Sequence, residues 1–508
     1  MPGLGRGLPR ALIAVVAIGL ALRLATLAVP AVHHPDEIYQ YLEAAHRQAF
    51  GYGVVPWEYR VGMRSWLLPI LLAGPMALGD ATAPNGGLYL LLPRLLMVLA
   101  STTIIVSAWT LGARSSRRHA LVAAIVAATW YELIAFAGHP IGESAGLVAA
   151  CGAAALMFGP NSSRNRLVVA GGLLALAAIL RFQYGPALLV LAAFGGGRDF
   201  QGRWLPLASG GMMMLVISSL IDLGHGALPF AWLIENIRQN LILNKAAHFG
   251  VSGPLTYIGV VGTMWRWASV PIIIAAYAGM RRQPALFWAA IVHFAVHSLI
   301  GHKEYRFILL TDGFAIILAA IGSVDLVDAV TTRWPSRRGA LVPKAMIGLW
   351  LGISLILAML PWNRPLWTAR ASANELLAEL RDQPGLCGIA VLGLPISELG
   401  GYVGLHRDVP IYIPDARYPN QRQTARALAP AYNALIATSS GANAVPPGFQ
   451  SMDCRSTAGE YIGAYAHPED VAGLKTVCRY VRPGSCSASL QARSTTLTIN
   501  PVLAERGM

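Results

Sequence analysis

The sequence predicts a polytopic α-helical membrane protein with about eleven transmembrane helices, followed by a small soluble α/β domain. Two observations predict the membrane part: apolar runs of spanning length recur up to residue 361, and only 13% of all residues are charged. A soluble protein carries about 25% charged residues. The residues after 361 are less apolar and alternate helical with strand-like runs. We therefore expect a membrane domain at 1–361 and a soluble domain at 362–508.

The first apolar run, 11–30, follows Arg6 and Arg10. It is longer than the about 7–15 apolar residues of a cleaved signal peptide, so we expect a retained signal anchor with a cytoplasmic N-terminus. The next apolar piece, 66–79, is interrupted by proline and glycine and is too short to cross a membrane unaided, which indicates a re-entrant or interfacial segment. The later spans are expected near 88–112, 120–137, 144–158, 166–182, 185–196, 204–222, 255–279, 284–301, 305–324 and 341–360.

Arginines cluster in alternate loops of this arrangement. The clusters are Arg114, Arg117 and Arg118; Arg164 and Arg166; Arg198 and Arg203; Arg281 and Arg282; and Arg333, Arg337 and Arg338. Basic residues are enriched in cytoplasmic loops, so these loops are expected in the cytoplasm. The external loop 32–86 and the segment 301–307 then lie on the opposite face. The net charge of +14 is therefore a topology signal, and no nucleic-acid partner is expected.

Four of the five cysteines lie in the soluble region 362–508: Cys387, Cys454, Cys478 and Cys486. An oxidising compartment would allow two disulfides, and four cysteines allow three pairings. The alternative is four reduced thiols in a cytoplasmic tail. The predicted topology favours the disulfides.

The segment HHPDEIYQYLEAAH (33–46) places acidic residues next to the first membrane span. Helical spacing would put four side chains on one face: Asp36, Gln40, Glu43 and Arg47. An acid at a helix start can simply complement the helix dipole, but ionisable groups at membrane depth usually have a function. The expected catalytic residues are Asp36 and Glu37, and the expected substrate-binding residues nearby are His34, Gln40 and Glu43.

The segment GHKEYRF (301–307) places three basic side chains between two spans: His302, Lys303 and Arg306. Interfacial anchoring is one explanation, because long basic side chains extend towards headgroups. The positive-inside bias disfavours basic residues on this face, so we expect an anion site that binds a phosphate. Arg181 is also expected to bind the donor phosphate. The other residues expected to bind substrate are Arg64, Glu304, Trp57 and Glu58.

A carboxylate and a cationic anion site suit group transfer from a phosphate-activated lipid. The phosphate leaves without a proton when cations neutralise its charge, so one carboxylate suffices as base. The sequence requires no metal or cofactor for this reaction.

His293 and His297 have zinc-compatible spacing, but no third ligand is evident, and helix packing explains them better. A transporter or flippase for a lipid-linked sugar is the main alternative, although internal repeats typical of transporters are missing from the sequence.

Three motifs, in order, resemble glycosyltransferase family 22 of the GT-C superfamily: HPDE (34–37), WEYRVGMRS (57–65) and HKEYRF (302–307). Pro56 stands where the family usually has threonine. The resemblance implies a GT-C fold, a dolichyl- or polyprenyl-phosphate-mannose donor, a glycan or glycolipid acceptor, and inversion at the anomeric carbon. It also implies Asp36, or less readily Glu37, as the catalytic acid residue on the lumenal or periplasmic face. The Ala-, Gly- and Arg-rich composition indicates a bacterial inner-membrane protein with a periplasmic active site.

Overall fold

The computed structural model describes residues 9–160, 162–333, 342–414, 420–460 and 475–505. Arg6, Arg337 and Arg338, which contribute to the predicted topology, lie outside these ranges. The chain forms two compact units. The membrane unit comprises residues 1–28, 65–67 and 94–363, and the loop–tail unit comprises 29–64, 68–93 and 364–508. Contacts therefore group the external loop with the tail, whereas the sequence analysis groups it with the membrane helices.

The membrane unit is helical, as predicted. Its helices are Arg10–Ala25, Leu88–Ala113, Arg117–Thr129, Tyr131–Ala135, Gly142–Phe158, Arg164–Leu180, Gly185–Gly196, Leu205–Gly224, Ala231–Ile237, Thr256–Trp265, Ser269–Gly279, Pro284–Leu299, Leu309–Arg333 and Val342–Met359. Each predicted span therefore contains a helix or a bent pair of helices. Within the described ranges, five helices are long and apolar enough to cross a membrane, or up to seven if each bent pair is one span. The polytopic membrane class is confirmed.

Glycines allow two helix pairs of the membrane unit to pack backbone against backbone. A Cβ atom on Gly171 or Gly210 would collide with a backbone carbonyl of the facing helix, that of Leu207 or Val168 respectively. The helices Ser269–Gly279 and Leu309–Arg333 meet in the same way at Gly322. Small residues permit this close approach in membranes, where van der Waals packing drives helix association.

The apolar piece expected at 66–79 forms one continuous helix, Leu67–Thr82, with Pro75 inside it. The expected interruption of this helix is therefore wrong. Its 16 residues fall short of the about 20 needed to cross a bilayer, so its shortness agrees with the sequence analysis.

The tail contains a five-stranded sheet, which confirms the predicted α/β character. The strands are β1 (Ile389–Leu392), β2 (Ile411–Tyr412), β3 (Ala434–Thr438), β4 (Gln450–Ser456) and β5 (Thr476–Val481), in the order β2-β1-β3-β5-β4. β1 is parallel to β2 and β3, and β5 is antiparallel to β3 and β4. The helices of the loop–tail unit are Glu43–Phe50, Trp57–Arg60, Leu67–Thr82, Pro365–Thr368, Ala371–Arg381, Gly401–Leu405, Gln421–Leu428, Ala488–Arg493 and Ile499–Glu505.

Both faces of β1, which lies between β2 and β3 in the sheet, are buried. Ile389 and Val391 pack in one hydrophobic core with Leu376, whereas Ala390 and Leu392 pack in a second core. Successive side chains of a strand point to opposite faces, so a strand covered on both sides is apolar at every position. This explains why the segment appears in the sequence as an unbroken apolar run.

The tail contains two disulfides, so its four cysteines are paired rather than reduced. Cys387 bonds to Cys486 across 99 residues, and Cys454 bonds to Cys478 across 24 residues. The fifth cysteine, Cys151, is free and buried in the membrane unit. A disulfide that closes a longer loop removes more entropy from the unfolded chain.

We expect the double variant Cys387→Ser/Cys486→Ser to lose about 2–5 kcal/mol of tail stability. The matched variant Cys454→Ser/Cys478→Ser should lose about 1 kcal/mol less, because its loop is shorter. Urea-dependent proteolysis of the full-length protein in detergent measures both changes. The opposite order of the two losses would contradict the loop-closure explanation.

Candidate active site

The acidic segment of the external loop contains a π-helical turn. Residues Glu37–Leu42 are π-helical and continue into the helix Glu43–Phe50, and the Glu43 amide donates to the carbonyl of Ile38, five residues back. The wider turn changes the angular step between residues. The four side chains expected on one face differ in exposure: Gln40 and Glu43 are buried, whereas Arg47 is exposed. Such turns frequently occur at functional sites.

The two expected catalytic acids differ in accessibility. The Asp36 side chain is 25% exposed, and its Oδ1 lies 3.5 Å from Nδ1 of His34, whose side chain is 28% exposed. Glu37 is only 1% exposed, and its Oε2 accepts a 3.0 Å hydrogen bond from the amide of His33. Asp36 is therefore the acid that an external hydroxyl can reach, and Glu37 stabilises the local backbone.

Three expected substrate-binding residues form one network in the loop. Oε1 of Glu58 accepts hydrogen bonds from Nε2 of Gln40 at 3.0 Å and from Nη2 of Arg64 at 2.7 Å. Trp57, which precedes Glu58, is half-buried. Arg64 is thus engaged by a carboxylate within its own unit, and this pairing fixes the loop beside Asp36.

Glu43 connects the external loop to the tail. Its Oε2 accepts from the Val54 amide and its Oε1 from the Val403 amide, both at 2.8 Å, and its side chain is fully buried. Burial raises the pKa of Glu43 to about 7, although the bonds from Val403 and Val54 act in the opposite direction. Both oxygens are occupied by backbone groups, so the expected substrate contact of Glu43 is replaced by a structural link.

A second cluster lies in the membrane unit and centres on Glu143. Oε1 of Glu143 lies 2.8 Å from Nη1 of Arg306 and 3.2 Å from Nη2 of Arg181. The two guanidinium carbons lie 5.0 Å and 4.7 Å from the centroid of the Phe307 ring. Both arginines are almost completely buried. Two guanidinium groups thus converge on one carboxylate oxygen, which is the geometry of an anion site.

His302 and Glu304 extend this cluster. Glu304 Oε1 bonds to His302 Nε2 at 2.9 Å, and its Oε2 accepts from Nε of Arg306 at 2.6 Å. Burial alone lowers the pKa of His302, but the hydrogen bond and charge of Glu304 outweigh burial and raise this pKa above its usual value. His302 therefore contributes positive charge at neutral pH more readily than an ordinary histidine.

Lys303 has a different environment from its neighbours. Its Nζ donates to the carbonyls of Ser298 at 2.8 Å and His297 at 3.3 Å, and also to that of Ile300. It also lies 5.3 Å from the centroid of the Tyr257 ring. A lysine commonly satisfies the unpaired carbonyls at a helix C-terminus, here that of Pro284–Leu299. Lys303 was expected to bind the phosphate, but in this structure its ammonium group binds these helix carbonyls instead.

Sequence reasoning missed Glu143 and a second buried acid, Glu132. Glu132 accepts from the indoles of Trp130 at 2.8 Å and Trp265 at 3.0 Å, from the Tyr131 hydroxyl at 2.9 Å and from that of Tyr305. The available signal was an acid within an otherwise apolar run. Two partners of Glu132, Trp265 and Tyr305, lie far away in the chain, so the sequence did not identify this cluster.

The zinc-compatible pair has ordinary hydrogen-bond partners. Nδ1 of His293 lies 2.8 Å from Oγ1 of Thr311, and Nδ1 of His297 lies 3.0 Å from the His293 carbonyl. In the part of the chain that the structure describes, no group of three His, Cys, Asp or Glu residues is arranged to hold a metal ion.

Comparisons with known proteins identify the family. The sequence profile of the Alg9-like mannosyltransferase family matches residues 14–366. GPI mannosyltransferase 3 of Yarrowia lipolytica is 27% identical over 423 residues, which cover 78% of this chain and 76% of that protein. GPI mannosyltransferase 3 of Trypanosoma brucei brucei is 25% identical over 429 residues, with 74% of each chain covered.

The fold has solved counterparts. The crystal structure of ArnT from Cupriavidus metallidurans bound to undecaprenyl phosphate matches with a TM-score of 0.57 at 12% sequence identity. The match covers 94% of this chain and 98% of that protein. At this identity the likeness shows the fold alone, which is that of a GT-C membrane glycosyltransferase. With the family profile matched over more than half of its length, the chain belongs to the Alg9-like mannosyltransferase family.

Proposed function

We propose that this mannosyltransferase moves mannose from a polyprenyl- or dolichyl-phosphate carrier to a hydroxyl of a glycan or glycolipid, with inversion at the anomeric carbon. The observation that carries the proposal is the convergence of Arg181 and Arg306 on a single buried carboxylate oxygen. The two relatives are named GPI mannosyltransferase 3, and these names favour a glycolipid acceptor.

The phosphate side of the reaction requires positive charge rather than an acid. The bond between the anomeric carbon and the phosphate oxygen breaks, and its electron pair leaves with the phosphate. Arg181, Arg306 and protonated His302 stabilise this negative charge in a buried site, where charge-assisted hydrogen bonds are strong. Lys303, which caps a helix, is left out of the proposed phosphate site.

The acceptor side requires a base. The acceptor oxygen attacks the anomeric carbon from the face opposite the phosphate, and its proton passes to Asp36. An ordinary aspartate is ionised at neutral pH, as a base must be. Nδ1 of His34 accepts a 3.2 Å hydrogen bond from the Asp36 amide and so helps to position this residue, while the Gln40–Glu58–Arg64 network fixes the surrounding loop.

We further propose that both catalytic groups act on the non-cytoplasmic face of a bacterial inner membrane. Two disulfides in the tail support an oxidising compartment. Arginine clusters in the opposite loops support the same orientation. In this proposal residues 1–361 form the catalytic membrane domain with its external loop 32–86, and 362–508 form an extracytoplasmic domain.

Deletion of the gene tests the proposed acceptor class. Lipid and glycan mass spectrometry should then show one glycolipid or glycan that has lost a single hexose. Restoration by the wild-type gene, but not by an Asp36→Asn copy, would tie the loss to catalysis. An unchanged glycolipid and glycan profile would contradict the proposal.

The charge of His302 gives the proposed donor site a predictable pH dependence. The donor is a phosphodiester and keeps one negative charge between pH 6 and pH 9, so only the protein titrates. The raised pKa keeps His302 cationic to higher pH, and donor affinity should fall as pH rises through that pKa. We expect donor KM to rise about threefold to tenfold over this range. His302→Asn should remove the step, and an identical pH profile in that variant would contradict the assignment.

A further inference from the structure

Glu143 has no assigned role in the proposed reaction, although it lies at the centre of the phosphate site. It is in the first turn of the helix Gly142–Phe158 and its side chain is completely buried. Its Oε1 contacts both Arg181 and Arg306, whereas its Oε2 has no hydrogen-bond partner in the described ranges. The two arginines are thus its polar contacts, and its charge acts on whatever anion they bind.

The charges of the cluster balance in a way that favours one ligand over another. Arg181, Arg306 and protonated His302 supply three positive charges, and Glu143 and Glu304 supply two negative charges. The charges of these five side chains sum to +1, which is equal and opposite to the charge of a phosphodiester. The leaving product, a phosphate monoester, is mostly doubly charged at neutral pH because its second pKa is about 6.

A buried carboxylate repels a doubly charged ligand about twice as strongly as a singly charged one at the same distance. The sugar donor and the lipid phosphate product differ in this property. We propose that Glu143 is a positioning residue that sets the charge of the phosphate site, so that the site holds the singly charged donor and releases the doubly charged polyprenyl phosphate. This inference rests on the proposed function and explains how the enzyme avoids inhibition by its own product.

The first test compares Glu143→Gln with the parent enzyme, full-length in lipid nanodiscs at pH 7.5. The amide oxygen can still accept a hydrogen bond from Arg306, but the negative charge is gone. The dissociation constant for polyprenyl phosphate should fall about tenfold or more, and donor KM only about threefold. The turnover number should fall because product leaves more slowly. At pH 5.5 the product is mostly singly charged, so Glu143→Gln should then lower the dissociation constant for polyprenyl phosphate and the donor KM by similar factors.

Asp325→Asn is the matched control. Asp325 also links an arginine to a histidine, since it bonds to Arg282 at 2.8 Å and His119 at 3.1 Å. It lies about 28 Å from Arg306 along the same span. This variant loses the same charge at a remote place, so its affinities for donor and product should stay within about twofold of the parent values.

A second test needs no variant and therefore does not depend on the folding of one. The parent enzyme should bind the methyl diester of polyprenyl phosphate at least as tightly as polyprenyl phosphate itself at pH 7.5. Weaker binding of both ligands by Glu143→Gln would show that Glu143 only holds the arginines, and would overturn the inference. Equal tightening of both ligands at pH 7.5 would also overturn it. If the parent enzyme bound neither ligand, the proposed function itself would fail.

Discussion

Replacement of Asp36 by asparagine is expected to lower mannose transfer by about 10²–10⁴-fold, the usual contribution of a general base. The amide has nearly the same shape but cannot accept the proton of the attacking hydroxyl. The Asp36 side chain is 25% exposed, and asparagine fills nearly the same volume. Thermal stability and donor affinity should therefore remain close to those of the parent enzyme. Steady-state kinetics measure the transfer rate, thermal unfolding measures the stability, and binding of polyprenyl-phosphate-mannose measures the donor affinity.

The matched control is Glu37→Gln in the adjacent residue. Glu37 is buried and accepts a hydrogen bond from the His33 amide, so its loss should reduce stability more than the Asp36 variant does. Its turnover number should fall less than that of Asp36→Asn. Full activity of Asp36→Asn, together with an inactive but folded Glu37→Gln, would assign the base to Glu37 instead.

Replacement of Arg306 by lysine is expected to raise donor KM by about tenfold to a hundredfold. Lysine keeps the positive charge but lacks the planar guanidinium, whose several N–H groups can donate to two carboxylates or phosphate oxygens at once. In this structure the fork bonds to Glu143 at 2.8 Å and Glu304 at 2.6 Å. Alanine is a poorer test, since it would leave both carboxylates without this partner at a cost of about 3–5 kcal/mol.

Arg282→Lys is the matched control for this variant. Arg282 also forms a forked pair with a carboxylate, that of Asp325, at 2.9 Å and 2.8 Å. It lies in a loop predicted to be cytoplasmic, so the change should leave donor KM unchanged. An unaltered donor KM in folded Arg306→Lys would remove Arg306 from the phosphate site.

Local sequence properties predicted most of the fold. Apolar length located the long membrane helices, because a helix in lipid must satisfy its own backbone and be apolar over its whole length. The short helix Ala231–Ile237 lies between two predicted spans and was not expected. Strand-like apolar runs located β1 and β2. Both faces of β1 are buried, so every side chain of this strand is apolar. The prolines of 66–79 were misleading, because a proline in the first turn or inside an apolar helix can be accommodated there.

The details of the site depend on contacts between distant residues. Lys303 and Arg306 are both basic and lie three residues apart. Lys303 reaches the end of the preceding helix, whereas Arg306 reaches Glu143 from 163 residues away. The π-helical turn at Glu37–Leu42 changes the angular step between Asp36 and the residues that follow it. Periodicity arguments assume a regular helix and do not detect such a turn. The difference in exposure between Asp36 and Glu37 is likewise a property of the folded loop.

The most direct test of the central claim is a transfer reaction with purified components. The protein in nanodiscs is supplied with polyprenyl-phosphate-mannose and the glycolipid fraction of the deletion strain. We expect one polyprenyl phosphate to be released for each mannose gained by the acceptor, and NMR should show that the anomeric configuration is inverted. A flippase would move the lipid-linked sugar across a membrane without releasing polyprenyl phosphate. Movement of the intact donor with no release and no mannosylated acceptor would contradict the account.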